Sequence, residues 1–179
     1  SAAARLAVQA GAGAAKTTTL CAYAQARPEC RVLYVAFNKA IQLEAAARMP
    51  ANVSARTTHS LAYRKARHLF GDRAGERIGS TYPSTVSRAF GCTPLAATAA
   101  LQAIQKWCGS LEAELGSEHL PVDVASRLPD PAGLVALARA VWTRMVDANE
   151  HEIRLTHDGY LKLYQMDRPV LRGFDLIAV

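Results

Sequence analysis

A glycine-rich turn followed by Lys-Thr-Thr is the segment whose residue types and spacing point most directly to chemistry. The turn follows a short apolar run, residues 6–8, which we predict to be a buried strand, and it precedes residues 20–26, which we predict to be a helix. In this order, the backbone N–H groups of the turn and the helix N-terminus surround the phosphates of a nucleoside triphosphate. The candidate phosphate-binding residues are Gly11, Ala12, Gly13, Ala14, Ala15, Lys16, Thr17 and Thr18.

Two residues of this loop have catalytic roles if the loop holds ATP. Lys16 would contact the β- and γ-phosphates, and the Thr17 hydroxyl would ligate Mg²⁺. The strict pattern requires glycine where this chain has Ala10 and Ala15. A non-glycine residue forced into the left-handed conformation costs about 1–2 kcal/mol, so we expect Ala15 to weaken the binding of ATP and Mg²⁺. The alternative is an Ala/Gly-rich turn that holds no ligand.

Composition limits the class of protein. The chain has 179 residues, of which 50% are hydrophobic, enough for one good core or a core with a small insertion. Its formal net charge of +6 suits a polyanionic partner such as a nucleic acid. No apolar run approaches the roughly 20 residues of a membrane span, so we expect no membrane partner. The four cysteines form no C-x-x-C pair and no Cys/His cluster, which favours reduced thiols in the cytoplasm, or at the nucleoid in a bacterium.

The first part of the chain, up to about residue 70, alternates strands and helices. Continuous β-prone runs at 31–36 and 53–57 predict strands, and residues 38–49 and 58–69 predict helices. Together with the strand at 6–8 and the helix at 20–26, the β-α-β-α-β-α order predicts an α/β fold with a parallel sheet and helices on its faces.

The second part, residues 71–154, predicts helices and no convincing strand. Thr93-Pro94 and Asp130-Pro131 are typical helix starts, with a capping side chain followed by proline. Residues 115–129 predict irregular structure or a short helix. The apolar stripes that follow the two starts are expected to be core, and they comprise Ala97, Leu101, Ile104, Trp107 and Cys108, then Leu134, Leu137, Val141 and Met145.

The third part returns to strand and helix. Thr156 is a candidate N-cap for a helix over 158–166, and residues 174–179 predict a strand. A helical insertion in a parallel α/β domain is the simplest architecture with this order of elements.

Four segments together resemble a known family. They are residues 10–18 (the loop), residues 35–40 (Val-Ala-Phe-Asn-Lys-Ala), residues 57–63 (Thr-Thr-His-Ser-Leu-Ala-Tyr) and residues 156–163 (Thr-His-Asp-Gly-Tyr-Leu-Lys-Leu). In this order and spacing they resemble the N-terminal motor domain of UvrD/Rep-like superfamily I DNA helicases, in the branch that includes the F-box DNA helicase. The resemblance covers nearly the whole chain.

The resemblance implies a P-loop NTPase (RecA-like) parallel sheet with an inserted all-helical subdomain. Residues 1–70 would be the first part of the motor domain, 71–154 the helical insertion and 155–179 the returning segment. The resemblance also implies single-stranded DNA and duplex junctions as partners. The track for the single strand would be lined by Phe37, Asn38, Lys39, Thr58, His59 and Ser60.

These residues suit that role chemically. Phe37 offers a flat face on which a base can stack, a contact worth about 1–3 kcal/mol. Asn38, Thr58, His59 and Ser60 offer neutral groups to phosphate oxygens, and Lys39 offers a charge. Three alternatives stay open at this point: Phe37 as a core aromatic at a strand end, His59 as a capping or packing residue, and Lys39 as a solvated helix charge.

A basic cluster follows the third segment. Arg64, Lys65, Arg67 and His68 could extend the basic track, and a solvated helix face is the alternative.

The family pattern also implies an expectation about the parent protein. There, an apolar strand such as 174–179 is followed by Asp-Glu, which holds Mg²⁺ and activates water. We therefore expect the parent protein to continue into an acidic pair and a second motor domain, and this fragment alone to be inactive as an ATPase.

Two other functions remain possible from the sequence. The chain could be a non-catalytic nucleic-acid-binding module, a degenerate homologue with a defective phosphate loop. It could also be a different phosphate-loop enzyme, such as a small-molecule kinase, although a kinase needs neither the Phe37–Lys39 nor the Thr58–Ser60 motif.

Overall fold

A computed structural model describes residues 6–9, 11, 13–122 and 130–179. The chain divides into two compact units, which we call the sheet unit (Ser1–Thr58 with Leu171–Val179) and the helical unit (His59–Val170). The predicted division into a motor domain at 1–70 and 155–179 and an insertion at 71–154 stays a prediction.

Three parallel strands form the sheet of the sheet unit. They are β1 (Val32–Ala36), β2 (Val53–Thr57) and β3 (Leu176–Ala178), in the order β2-β1-β3. The register pairs Val32 with Val53 and with Leu176, so β1 is the central strand. Val32, Leu33 and Ala36 are buried, as expected of a strand covered on both faces. The strands predicted at residues 31–36, 53–57 and 174–179 and their parallel arrangement are confirmed.

Two helices belong to the sheet unit. Helix α1 spans Lys16–Gln25, four residues earlier than the predicted start, and α2 spans Lys39–Arg48. Asn38 caps α2, because its Oδ1 accepts a hydrogen bond from the Ile41 N–H at 2.9 Å.

The prediction of a buried strand at residues 6–8 was wrong. These residues lie outside the sheet, and the Leu6 side chain is 88% exposed. A strand needs a partner, and both edges of β1 are already occupied by β2 and β3. The outer edge of β3 offers only three residues, too few ladder hydrogen bonds to offset the entropy of ordering another short segment.

The first helix of the helical unit is α3 (Thr58–Phe70). Its first residue, Thr58, belongs to the sheet unit, and the helical unit begins at His59. A short α4 (Ala74–Arg77) and α5 (Pro83–Phe90) follow, and then α6 (Pro94–Cys108), α7 (Pro131–Val146) and α8 (His157–Met166).

All three predicted caps are confirmed: Thr93, Asp130 and Thr156 each accept a hydrogen bond from the N–H three residues ahead. Residues 117–119 form a 3₁₀ turn, and 123–129 lie outside the described residues.

One core fills the helical unit. The predicted stripes of α6 and α7 lie in it, with Leu101 and Leu137 at its partly buried margin. In the described part of the unit, extended pairing is limited to one bridge between Ile78 and Leu155, in keeping with the prediction of helices.

A buried arginine connects the ends of several elements of the helical unit. The Arg77 guanidinium donates to the carbonyls of Ile153 (2.9 Å), Met145 (3.1 Å) and Asp147 (3.1 Å), and it lies 5.1 Å from the Phe70 ring centroid. Burial lowers the pKa of Arg77, although an arginine remains charged in proteins. Arg77 thus satisfies carbonyls at the C-terminal end of α7 that have no helical partner.

Glu150 carries a negative charge close to the Arg77 guanidinium. Burial alone would raise its pKa, but hydrogen bonds from Arg144 and from the backbone of 151–153 outweigh burial and lower the pKa to about 2. The loop after α7 is therefore held by an ionised carboxylate.

Candidate phosphate loop and nucleic-acid interface

The described part of the candidate phosphate loop has the backbone of a tight turn entering a helix. Gly13 has φ +74° and Ala15 has φ +57° and ψ +26°, both in the left-handed region, and the Ala14 N–H donates to the Gly11 carbonyl at 3.3 Å. Lys16 is the first residue of α1. Ala10 and Ala12 lie outside the described residues.

Ala15 shows why the strict pattern has glycine at its position. A left-handed alanine carries a steric cost of about 1–2 kcal/mol that glycine does not. The carbonyl of Ala15 also accepts hydrogen bonds from the N–H (2.9 Å) and hydroxyl (3.0 Å) of Thr19, which fix the first turn of α1. The strain therefore lies at the junction of loop and helix.

The two residues predicted to be catalytic lie at the start of α1. The Lys16 ammonium donates to the Gly11 carbonyl at 2.8 Å, which folds its side chain back over the loop. Thr17 is half-buried, and Thr18 is exposed. The first turn of α1 has no acidic residue, so the positive end of the helix dipole is not neutralised from within the helix. This arrangement is chemically suited to an anion.

Phe37 follows directly on the buried strand β1, and its side chain is 88% exposed. Asn38 uses its side-chain oxygen to cap α2, which leaves its amide nitrogen as the group able to donate to a phosphate. The Lys39 ammonium donates to Gln42 Oε1 at 2.7 Å and is exposed. An exposed aromatic ring is thus followed by a polar and a basic residue.

The segment that begins at Thr58 starts at the same edge of the sheet as Phe37. The register pairs Ala36 with Thr57, so β1 and β2 end side by side, and Phe37 and Thr58 each come next in the chain. In open α/β sheets, ligands gather at the carboxyl ends of strands. Of the two remaining predicted DNA contacts, His59 is half-buried and Ser60 is exposed, and both belong to the helical unit.

His59 lies in an aromatic cluster of the helical unit. Its ring meets those of Tyr160 and His157 edge-on, with centroids 5.9 and 6.3 Å apart, and Tyr63 meets Tyr160 in the same way at 6.0 Å. His157 Nδ1 and the Tyr160 hydroxyl are 3.2 Å apart. Burial, together with Tyr63 and Asp158, raises the pKa of Tyr160. His59 therefore has a packing role, and its half-buried ring still has an accessible part.

Sequence reasoning missed Tyr160 and His157 as neighbours of His59. Both lie in the segment 156–163 that was singled out by its resemblance, and this is the signal that could have found them. Neither distance along the chain nor residue type indicated the contact.

The basic cluster on α3 has mixed surroundings. Arg64, Arg67 and His68 are exposed, whereas the Lys65 ammonium pairs with the Asp167 carboxylate at 2.6 Å. Three of the four residues present their side chains to solvent.

Two other kinds of site are absent from the described ranges. No group of three or more His, Cys, Asp or Glu there could hold a metal ion, and no helix there is long and apolar enough to cross a membrane. The four cysteines are free thiols, and burial raises the pKa of Cys108 to about 12.

Two of the relatives found by comparison with known proteins are F-box DNA helicases. The chain is 30% identical to F-box DNA helicase 1 of Gallus gallus over 96% of its length, and 28% identical to F-box DNA helicase protein 1 of Schizosaccharomyces pombe over 90%. No family model matches the chain, and neither does any solved structure. The chain is thus similar over nearly all its length to a region of DNA helicases, and it spans about a fifth of the length of both relatives, 19% and 20%.

Proposed function

We propose that this chain is part of the motor of a UvrD/Rep-like DNA helicase. In this proposal the sheet unit is RecA-like and forms one side of an ATP–Mg²⁺ site, and the helical unit is the inserted subdomain. The residues after β1 and β2 contact single-stranded DNA near a duplex junction. The similarity to two F-box DNA helicases supports the proposal.

The observation that carries the proposal is the exposure of Phe37. A core aromatic would be buried, but this ring is 88% exposed, directly after a strand in which Val32, Leu33 and Ala36 are buried. An exposed ring beside Asn38 and Lys39 is suited to a nucleotide, because the ring stacks on any base while the polar neighbours reach phosphate oxygens. Single-strand binding without sequence preference follows from this chemistry.

The nucleotide is assigned to the loop before α1. Lys16 would move from the Gly11 carbonyl to the β- and γ-phosphates of ATP, and the Thr17 hydroxyl would ligate Mg²⁺. In the proposal, a second motor domain of the longer parent protein completes the site, and hydrolysis there drives movement along the strand. This chain alone would bind ATP weakly and not hydrolyse it.

One observation favours a second candidate. The left-handed Ala15 strains the loop at the position where ATP needs close backbone approach. A nucleic-acid-binding module that has lost ATP turnover fits this strain. The two candidates share the DNA contacts and differ in nucleotide binding.

Fluorescence anisotropy with a labelled, mixed-sequence single-stranded oligonucleotide tests the DNA contact at two salt concentrations. We expect affinity to fall with salt and Phe37→Ala to weaken binding at least fivefold, because one stacked base contributes about 1–3 kcal/mol. The double variant Phe37→Ala with His59→Ala is expected to bind more weakly still. Tyr82→Ala is the matched control, because it removes an exposed aromatic ring from the helical unit.

Three results would contradict the assignment: binding that ignores salt, full affinity in the double variant, or an equal loss in Tyr82→Ala. Calorimetric titration with Mg²⁺-ATP separates the two candidates. Heat of ATP binding that is lost when Lys16 is replaced supports the helicase motor. Absence of any heat of ATP binding, even in the parent protein, supports the non-catalytic module.

A further inference from the structure

A polar bridge links Lys39, a candidate DNA contact, to the edge of the sheet. The bridge is the side chain of Gln42, which lies about one turn further along α2 and is half-buried. Its Oε1 accepts a hydrogen bond from the Lys39 ammonium at 2.7 Å, and its Nε2 donates to the Ala55 carbonyl of β2 at 3.1 Å. The proposed function assigns no role to Gln42.

The Ala55 carbonyl is a suitable anchor because it points away from the neighbouring strand. In the described part of the sheet, β2 has β1 as its one neighbour. The Val32 N–H of β1 donates to the Asn52 carbonyl at 2.9 Å, and successive carbonyls of a strand point to opposite sides. The Ala55 carbonyl, three residues after Asn52, therefore lies on the outer side of β2, where the Gln42 amide satisfies it.

These hydrogen bonds fix the orientation of the Gln42 side chain. An ammonium group only donates and a carbonyl only accepts, so the amide oxygen of Gln42 faces Lys39 and its amide nitrogen faces Ala55. The backbone N–H of Gln42 donates to the Asn38 carbonyl at 3.1 Å, within the turn that Asn38 caps. The acceptor for Lys39 is thus held both by its own backbone and by the end of its side chain.

The bridge also has a consequence for where the Lys39 charge lies. Lys39 follows the end of β1, directly after Phe37 and Asn38, and Ala55 lies three residues before Thr58 at the end of β2. Gln42 therefore connects the residues after β1 to the last residues of β2. These are the two places from which the single strand is proposed to be contacted.

Gln42 orders the ammonium group without neutralising it. A lysine ammonium has three N–H donors, so those that Gln42 does not use remain for phosphate oxygens. The one acid of α2, Glu44, pairs with Arg48 at 3.0 Å, so it does not cancel the charge of Lys39. A long side chain that is ordered before binding avoids part of the entropic cost of contacting a ligand.

We propose that Gln42 is a positioning residue for DNA binding, which holds the charged Lys39 ammonium in place to contact a phosphate of the single strand. Gln42 acts through Lys39 and does not itself touch the DNA. This inference rests on the proposed function, because it takes Lys39 to be a phosphate contact.

Fluorescence anisotropy of the 179-residue chain with a labelled single-stranded oligonucleotide of mixed sequence tests the inference. Lys39→Met removes the ammonium and is expected to weaken binding about fivefold. Gln42→Met keeps a side chain of similar length but removes both hydrogen bonds. It is expected to weaken binding about threefold, because the Lys39 side chain must then be ordered on binding. The double variant is expected to bind like Lys39→Met alone, since a positioning residue has no effect once the group that it positions is gone.

A third substitution tests why the bridging residue is neutral. Gln42→Glu keeps an acceptor for Lys39 but pairs it with a negative charge, so the ammonium no longer replaces a counterion of the DNA. The slope of log affinity against log salt concentration is expected to be less steep by about 0.7, the contribution of one phosphate contact to a single strand. Gln42→Met keeps the Lys39 charge and is expected to keep the slope.

A readout without DNA comes from the ¹H–¹⁵N NMR signals of the lysine ammonium groups, recorded at low temperature and slightly acidic pH. The signal that is missing in Lys39→Met belongs to Lys39. It is expected to be lost to exchange with water in Gln42→Met. Gln25→Met, which replaces an exposed glutamine of α1 in the same unit, is the matched control and should keep both this signal and the DNA affinity.

The results separate the inference from the function on which it rests. Full affinity in Lys39→Met contradicts the proposed DNA contact itself. If Lys39→Met weakens binding, the inference alone is overturned by full affinity in Gln42→Met, by additive losses in the double variant, or by an unchanged salt slope in Gln42→Glu. It is also overturned if the Lys39 ammonium signal is the same in Gln42→Met as in the unmodified chain.

Discussion

The two units of the chain are stabilised in different ways. In the described part of the sheet unit, five apolar residues are buried, and three of these are alanines: Ala24, Val32, Leu33, Ala36 and Ala45. The described part of the helical unit buries twenty-one, which form one cluster. Since apolar burial is the main stabilising contribution to folding, the helical unit is expected to be the more resistant to unfolding. The unit that carries the candidate phosphate loop has the smaller core.

Polar contacts compensate for the small apolar core of the sheet unit. The Asn52 amide nitrogen lies within 3.0 Å of the carbonyls of Ala24, Arg27 and Cys30, which close the turn between α1 and β1. Asp175 accepts from the Arg31 N–H at 2.8 Å and donates its own N–H to the Arg31 carbonyl at 2.8 Å. These contacts position the strands around a small core, whereas in the helical unit the core itself positions the helices.

The largest effect should follow from removing the buried charge of the helical unit. Arg77→Met keeps apolar volume but removes the guanidinium donor from the carbonyls of Met145 and Ile153, and it leaves the Asp147 carbonyl with the Glu150 N–H at 3.2 Å. We expect it to lower the free energy of unfolding of the helical unit by about 3–5 kcal/mol. Urea denaturation followed by tryptophan fluorescence measures this, because both tryptophans lie in the helical unit.

Arg88→Met is the matched control. Arg88 is exposed and forms a surface pair with Glu152 at 3.1 Å, so its loss should cost less than about 1 kcal/mol. If the two variants unfold at the same urea concentration, the apolar cluster alone stabilises the helical unit, and the role given to Arg77 is incorrect.

Arg77 also shows what sequence cannot reveal. Local chemistry predicted the caps at Thr93, Asp130 and Thr156, because a capping side chain needs only the backbone three residues ahead. Strands β1 and β2 followed from β-prone runs. A single arginine in Glu-Arg-Ile, however, has the same local pattern whether it is solvated or buried. Its partners are about 70 residues away along the chain, and only the fold brings them together.

The candidate site was predictable to a similar extent. Residue types were enough to predict the candidate loop, Phe37 and the segment that begins at Thr58. The register of β1 with β2 places Phe37 and Thr58 at the same edge of the sheet. The exposure of Phe37 and the packing of His59 on Tyr160 depend on three-dimensional context. The strand at residues 6–8 failed for the same reason, since strand formation depends on a partner that sequence periodicity does not identify.

A smaller effect is expected from Asn52→Asp, which is isosteric but replaces the amide donor by an acceptor facing carbonyl oxygens. We expect a loss of about 2 kcal/mol, confined to the sheet unit. Hydrogen exchange measured by mass spectrometry should show faster exchange in residues 16–57 and unchanged protection in α6 and α7.

Asn149→Asp, in an exposed loop of the helical unit, is the control for added charge. Faster exchange in α6 and α7 of the Asn52 variant, to the same degree as in the sheet unit, would mean that the two units unfold together. The comparison between a weakly and a strongly stabilised unit would then no longer hold.

The smallest effect concerns the candidate phosphate loop. Ala15→Gly removes a left-handed strain of about 1–2 kcal/mol, and the flexibility of glycine in the unfolded chain takes back about 0.5–1 kcal/mol, so stability should change little. ATP affinity should rise about fivefold, because the glycine loop adopts the phosphate-binding shape more readily. Adding Lys16→Ala to the Ala15→Gly variant should remove the gain, since the ammonium is the charge nearest the loop. Ala26→Gly, at the other end of α1 where φ is −73°, adds a glycine without relieving strain and should leave affinity unchanged.

Calorimetry with Mg²⁺-ATP on the unmodified chain and these three variants tests the prediction. Equal affinity in all of them would show that the loop does not hold phosphate.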